Sequence, residues 1–142
     1  MQKILHIPNY FPPHIGGIEM TANDIVNSLK GKYEQKVICF SGEKESKVDD
    51  IDGVEVYRCG ESIKILSQSI SFNYKKTLKK LMEEFKPDIV IFHYPNPFVA
   101  RLLLKYRKCD FKLILYWHMD ITKQKFIRKF FVSEKKHDIL LL

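Results

Sequence analysis

Residues 4–19 read ILHIPNYFPPHIGGIE, a run that joins a short apolar segment to a proline-rich loop and a glycine pair. The apolar residues before Pro8 predict a strand at Lys3–Ile7. After the glycines, apolar side chains recur at helical spacing, at Ile18, Ala22, Ile25, Val26 and Leu29. We therefore expect a helix that ends near Gly31. A strand, a loop and a helix in this order are typical of an α/β fold.

The rest of the chain repeats this alternation. Further strands are predicted at residues 36–40, 54–59, 88–92 and 113–117, and the last residues, 137–142, look like the start of another. Helices are predicted from a cap at Asn73 to a stop at Pro87, and at residues 97–106. The pattern predicts a Rossmann-like, mostly parallel sheet with helices on both faces. The acidic link between residues 36–40 and 54–59 holds no helix, so we expect those two strands to form a hairpin.

Composition narrows the class of protein. A chain of 142 residues with 45% hydrophobic residues is expected to form one globular domain. Its three cysteines, Cys39, Cys59 and Cys109, lack any paired spacing for zinc or redox chemistry, so we expect reduced thiols in the cytoplasm. No apolar run is long enough to span a membrane. The net charge of +7 suits nucleic acid, anionic lipid or phosphorylated ligands, but no nucleic-acid-binding motif accompanies it.

The loop after the first strand is the first candidate binding site, because parallel sheets bind ligands at the carboxyl ends of their strands. The backbone amides of Gly16, Gly17 and Ile18 would open a helix and point at a phosphate or carboxylate. A glycine pair is also consistent with a simple turn between strand and helix. The ten residues of proline, aromatic and glycine before the helix favour the binding loop.

Two later loops carry polar side chains at the same predicted edge. His93, Tyr94 and Asn96 follow one strand, and His118 and Asp120 follow another. With His14 of the first loop, three histidines would reach one crevice, and His118 would act as a neutral hydrogen-bonding group or a proton carrier. Each histidine is also consistent with a satisfied core residue. A metal site is not expected, because these residues lack the short paired spacing of metal ligands.

The run at residues 4–19 resembles the opening strand and glycine loop of family 4 glycosyltransferases, which have the GT-B fold. Residues 87–94 and 115–121 resemble two later strands of that family, and the likeness extends over about residues 1–131. By this resemblance Gly16 and Gly17, with Ile18, face the donor's phosphates, and His118 lies beside the transferred sugar and helps to orient donor and acceptor. We expect His118 and Asp120, which can orient it, to be the catalytic residues. The acceptor side of the cleft would take the remaining candidates, His14, His93, Tyr94 and Asn96.

The same resemblance implies the reaction. Family members are mostly retaining, metal-independent enzymes that use a nucleotide sugar as co-substrate and need no further cofactor. Their acceptors are saccharides or lipid-linked saccharides, many of them in cell-surface polysaccharide synthesis at the cytoplasmic face of the membrane. No Glu is followed eight positions later by another Glu in this chain, although the family's donor half usually carries that pair.

The missing glutamate pair of the donor half predicts a partial enzyme. We expect residues 1–142 to be the acceptor-side N-terminal domain, incomplete at its C-terminus, without the donor-binding domain and with negligible activity alone. A natural fragment, a split subunit that joins a separate donor domain, or a frameshifted product would all have this sequence. Two rival readings stay open: a nucleotide-binding module without catalysis, and a degenerate noncatalytic subunit. The first lacks both a G-x-G-x-x-G loop and a Walker A lysine.

A basic and aromatic segment at residues 123–136 is a candidate membrane-surface helix. Phe126, Ile127, Phe130 and Phe131 would share one side of a helix, with Lys125, Arg128 and Lys129 nearby. Such a helix can lie on an anionic membrane at the inner face of the cell. It can equally pack its apolar side on the sheet.

Overall fold

The computed structural model describes residues 1–65, 68–118 and 139–141. Within them the chain forms nine strands and three α-helices, in the order β1 (Lys3–Ile7), α1 (Gly17–Ser28), β2 (Glu34–Phe40), β3 (Lys47–Ile51), β4 (Val54–Cys59), β5 (Ile63–Ile65), β6 (Gln68–Ile70), α2 (Phe72–Lys80), β7 (Ile89–Tyr94), α3 (Pro97–Leu103), β8 (Lys112–Trp117) and β9 (Ile139–Leu141). Seven strands form one sheet in the order β3-β4-β2-β1-β7-β8-β9, and β5 pairs with β6 in a separate hairpin. All strands of the large sheet are parallel except β3.

Helices cover both faces of this sheet. On one face, Ala22 and Val26 of α1 pack against β2 and β4. On the other, α2 and α3 enclose a larger core, in which the rings of Tyr74 and Phe40 stack with their centroids 4.7 Å apart. The predicted fold class, a Rossmann-like and mostly parallel sheet between helices, is therefore confirmed.

The expected hairpin between the second and third predicted strands is wrong. β2 and β4 run parallel, with Val37 beside Val56. The turn at Asp52 and Gly53, both with positive φ, instead joins β4 to the additional strand β3. β3 has the sequence KVDDI and lies at the sheet edge with no fully buried residue, so it lacks the apolar pattern that marks a strand.

The boundaries of α2 also differ from the prediction. The helix begins at Phe72, and its cap is Ser71, whose Oγ accepts a hydrogen bond of 3.0 Å from the amide of Tyr74. A π-helical turn, Leu81–Phe85, continues it towards Pro87. The predicted helix at residues 97–106 is present as α3 and a 3-10 turn, Leu104–Tyr106. The predicted last strand is present as β9.

Candidate functional site

The strand order identifies the crevice of the sheet. From β1 the chain builds outwards through β2 and β4, and it then returns to build β7, β8 and β9 on the other side of β1. The switch in direction lies between β1 and β7, and open parallel sheets bind ligands outside the carboxyl ends of the strands at such a point. The proline and glycine loop after β1 and the loop after β7 flank this crevice.

A buried arginine of β4 holds the loop after β1. The side chain of Arg58 is only 3% exposed, and its Nη1 donates to the carbonyl oxygen of Phe11 at 3.0 Å. Its Nη2 donates to Pro12 O, and its Nε lies 2.5 Å from Asp49 Oδ2. The bond from Arg58 holds the pKa of Asp49 below its ordinary value. Sequence analysis missed Arg58, although an arginine inside the otherwise apolar strand VEVYRC was a visible signal.

The loop ends at an open helix N-terminus. Gly16 is the N-cap of α1, with extended backbone, and a Cβ there would overlap the carboxylate of Glu19. A Cβ at Gly17 would meet no described atom within 4 Å. The first amides of a helix, here those of Gly17 and Ile18, have no partner inside the helix, and no side chain caps this terminus. Helix N-termini in general attract anions, and the binding of a phosphate at this one stays a prediction.

Two stacked histidines lie at the carboxyl ends of β7 and β8. His118 follows β8, whereas His93 is buried within β7, because that strand extends to Tyr94 and includes two residues that were expected in the loop after it. Nδ1 of His93 lies 3.0 Å from Nε2 of His118, and their rings are nearly parallel, with centroids 5.3 Å apart. Tyr116 packs against both rings. Burial lowers the pKa of His93 to about 3. Burial also lowers the pKa of His118, and the negative charge of Glu19 acts in the opposite direction. Both imidazoles are therefore neutral at pH 7.

A second buried histidine, His6, lies on β1, the strand beside β7. His6 is fully buried, and its Nε2 lies 2.8 Å from Oε1 of Gln35, whose Nε2 donates to Val26 O of α1. Burial lowers the pKa of His6 to about 4. Among the described residues, Nδ1 of His6 and Nε2 of His93 have no hydrogen-bond partner. Sequence analysis missed His6, although a histidine in the apolar strand KILHI was a signal of a buried polar group.

Comparison with known families decides the assignment. The family model for Glycosyltransferase Family 4 matches residues 15–137. The chain belongs to Glycosyltransferase Family 4. The suspected family is thereby confirmed, and the match begins at Ile15, so the strand and most of the loop that first suggested it precede the matched region. No curated protein matches the sequence.

The other predicted acceptor residues of this family 4 domain have varied surroundings. His14 is exposed, and it lies against Tyr10 with its Nε2 3.2 Å from Ser41 O, at the end of β2. β1 lies between β2 and β7 in the sheet, so the neighbours of His14 differ from those of the His93 and His118 pair. The assignment of His14 to the acceptor stays a prediction.

Tyr94 and Asn96 contact other parts of the domain. Tyr94 points to the opposite sheet face from His93, because side chains alternate along a strand, and it stacks on Trp117 with centroids 4.5 Å apart. Asn96 is buried, its Oδ1 caps α3 through the amide of Val99 at 3.1 Å, and its Nδ2 donates to Asn9 Oδ1. These contacts give Asn96 a structural role, and its contact with an acceptor stays a prediction.

Some predictions fall outside the described residues. Asp120 and the segment at residues 123–136 are among them. Within residues 1–65, 68–118 and 139–141, no three His, Cys, Asp or Glu side chains are grouped to hold a metal ion. No helix in the described part of the chain has the length and apolar character needed to cross a membrane.

Proposed function

We propose that this chain is the acceptor-side, N-terminal domain of a retaining glycosyltransferase that transfers a sugar from a nucleotide sugar to a saccharide or lipid-linked acceptor in cell-surface polysaccharide synthesis. The observation that carries the proposal is the open N-terminus of α1 at Gly17, together with the neutral histidine pair whose outer member, His118, interacts with the charge of Glu19. Membership of Glycosyltransferase Family 4 supports it.

Each group has a chemical task in this proposal. The free amides and the dipole of α1 attract the diphosphate of the donor. His118 is neutral, so it forms a directed hydrogen bond to a sugar hydroxyl without adding a charge near the leaving group. Cations that stabilise the leaving diphosphate contribute strongly to such a reaction, and we assign them to a second, donor-binding domain. No metal or further cofactor takes part.

Substitution of Gly17 tests the proposal. We expect Gly17→Ala to raise the KM for the nucleotide sugar about tenfold, because the methyl group would narrow the space that the proposal assigns to the phosphates, where no described atom lies within 4 Å of it. The assay measures transfer with nucleotide sugars and lipid-linked acceptors in a protein that combines this domain with a donor-binding domain. The 142-residue chain alone is the negative control, and we expect its turnover to be negligible.

Met20→Ala is the matched control, since Met20 is half exposed on the next turn of α1 and its truncation adds no bulk near the helix N-terminus. An unchanged KM for Gly17→Ala would refute the phosphate role. Steady turnover by the 142 residues alone would refute the need for a second domain. Tight binding of UDP or GDP by these residues alone in calorimetry would favour a nucleotide-binding module.

We further propose that the domain works in the cytoplasm, at the inner face of the membrane. Besides residues 123–136, the surface of α2 supports this: its four lysines, Lys75, Lys76, Lys79 and Lys80, are exposed. Phe72, at the start of the helix, is 75% exposed, and Ile63 of the neighbouring hairpin is 52% exposed. Cations beside exposed apolar side chains suit an anionic lipid surface.

Vesicle sedimentation tests this contact. We expect Lys75→Gln with Lys76→Gln to weaken binding to anionic vesicles about thirtyfold, since each of the two lysines near such a surface contributes about 1 kcal/mol. Lys105→Gln with Lys108→Gln changes the net charge equally at another exposed basic cluster and is the control. Equal losses in both pairs, or binding that ignores lipid charge and salt, would contradict a specific α2 surface.

A further inference from the structure

The histidine pair poses a question of proton position. A neutral imidazole carries one proton, on Nδ1 or on Nε2, and the bond between His93 Nδ1 and His118 Nε2 allows two arrangements. In one, His93 donates and His118 carries its proton on Nδ1. In the other, His118 donates and His93 carries its proton on Nε2. The two arrangements make His118 either a donor or an acceptor towards a ligand at its remaining nitrogen.

We propose that His93 is a positioning residue that holds His118 in the Nδ1-H tautomer, so that His118 offers a hydrogen-bond donor to an oxygen of the bound sugar. The contact with a sugar rests on the proposed function, whereas the tautomer does not.

Burial of His93 decides between the two arrangements. Its side chain is fully buried, and its Nε2 has no partner among the described residues. If His93 carried its proton there, a buried N-H donor would be left without an acceptor. Buried N-H groups without acceptors are rarer in proteins than acceptors with an unused lone pair. The proton of His93 is therefore on Nδ1, and it is donated to His118.

The groups around the pair do not oppose this arrangement. The charge of Glu19, on α1, acts on His118 and raises its pKa, and it does not distinguish the two neutral tautomers. His6, on β1, donates from Nε2 to the carbonyl oxygen of Gln35, which can only accept, and burial lowers its pKa to about 4, so it carries no positive charge near the pair at neutral pH. Tyr116, on β8, packs against both rings through its own ring. Neither His6 nor Tyr116 replaces His93 as a donor to His118.

A substitution can separate this role from packing. The amide nitrogen of asparagine lies about where Nδ1 of histidine lies, so His93→Asn keeps a donor towards His118. His93→Phe keeps a ring in the stack and removes the donor. The tautomer of His118 should therefore depend on a hydrogen-bond donor at position 93 and not on an aromatic ring there.

Nitrogen NMR of the 142-residue protein, labelled at its histidines, measures this directly at neutral pH. We expect His118 in the natural protein to be protonated at Nδ1 and bare at Nε2, with a coupling across the bond to His93 Nδ1. We expect His93→Asn to keep the Nδ1-H form and His93→Phe to lose it, giving a mixture or the Nε2-H form. Tyr116→Phe, which alters the stack without removing the donor, is expected to leave the tautomer unchanged.

A natural protein in which His118 is protonated at Nε2 would overturn the proposal, and so would His93→Phe with an unchanged tautomer. Amide spectra verify that each variant is folded. If His93→Phe does not fold, the natural protein and His93→Asn decide the matter. No substrate is present in these spectra, so the outcome is independent of the transfer assay with Gly17→Ala.

Discussion

Acidification from about pH 7.5 to about pH 5 is expected to lower the free energy of unfolding by roughly 4 kcal/mol, because His6 and His93 are buried as neutral rings. Burial lowers the pKa of His6 to about 4 and that of His93 to about 3, from an ordinary 6.5. The unfolded chain takes up a proton at each histidine as the pH falls through 6.5, whereas the folded domain does not. Protons therefore favour the unfolded state.

The pH window follows from these values. The stabilisation by each histidine is complete above the unfolded pKa and is lost as the pH falls towards the folded pKa. At pH 5 each histidine should account for about 2 kcal/mol of the loss. Carboxylates with lowered pKa values, such as Asp49 and Glu55, add their own loss in more acidic solution.

Urea unfolding followed by circular dichroism at several pH values measures the effect. His93→Asn removes one titrating group and should reduce the pH dependence by about half. His14→Gln is the control, because it removes an exposed histidine in place of a buried one. A pH dependence that survives in His93→Asn at full size would show that His93 is accessible to protons in the folded state.

Replacement of Arg58 by methionine is expected to lower the free energy of unfolding by about 3 kcal/mol. The buried guanidinium is the donor for the carbonyls of Phe11 and Pro12, and both would lose that bond in a chain segment that water reaches poorly. Asp49 would lose its closest cation, and its pKa would rise towards the ordinary value. Arg58→Lys should lower the free energy of unfolding by less than Arg58→Met does, but it should not retain the full stability, because an ammonium group cannot reproduce the planar fork of the guanidinium.

A neighbouring lysine provides the matched control. Lys47 also pairs with Asp49, at 3.7 Å, but its side chain is 61% exposed. Lys47→Met should therefore change the stability by less than about 1 kcal/mol. Urea unfolding at pH 7.5 compares the two. Equal losses for Arg58→Met and Lys47→Met would mean that the ion pair matters and the bonds to the loop carbonyls do not.

Local patterns were sufficient for most elements of the fold. β1, α1 and the helix after Asn96 follow from apolar periodicity and from caps within a few residues. The acidic link was expected to close a hairpin between β2 and β4, whereas its residues Asp52 and Gly53 make the turn between β3 and β4. The strand β3 was missed because it lies at the sheet edge, where polar residues suffice and the apolar alternation is absent.

The sequence by itself determined the α/β class, the glycine loop before α1 and the histidine that follows β8, because each depends on neighbours along the chain. Only the tertiary structure decided the bond of His118 to His93, the hold of Arg58 on the loop carbonyls and the burial of His6 against Gln35. These contacts join residues 25 to 47 positions apart. They arise from the order and register of parallel strands, which is set by packing of the whole sheet and leaves no periodic signal in any one segment.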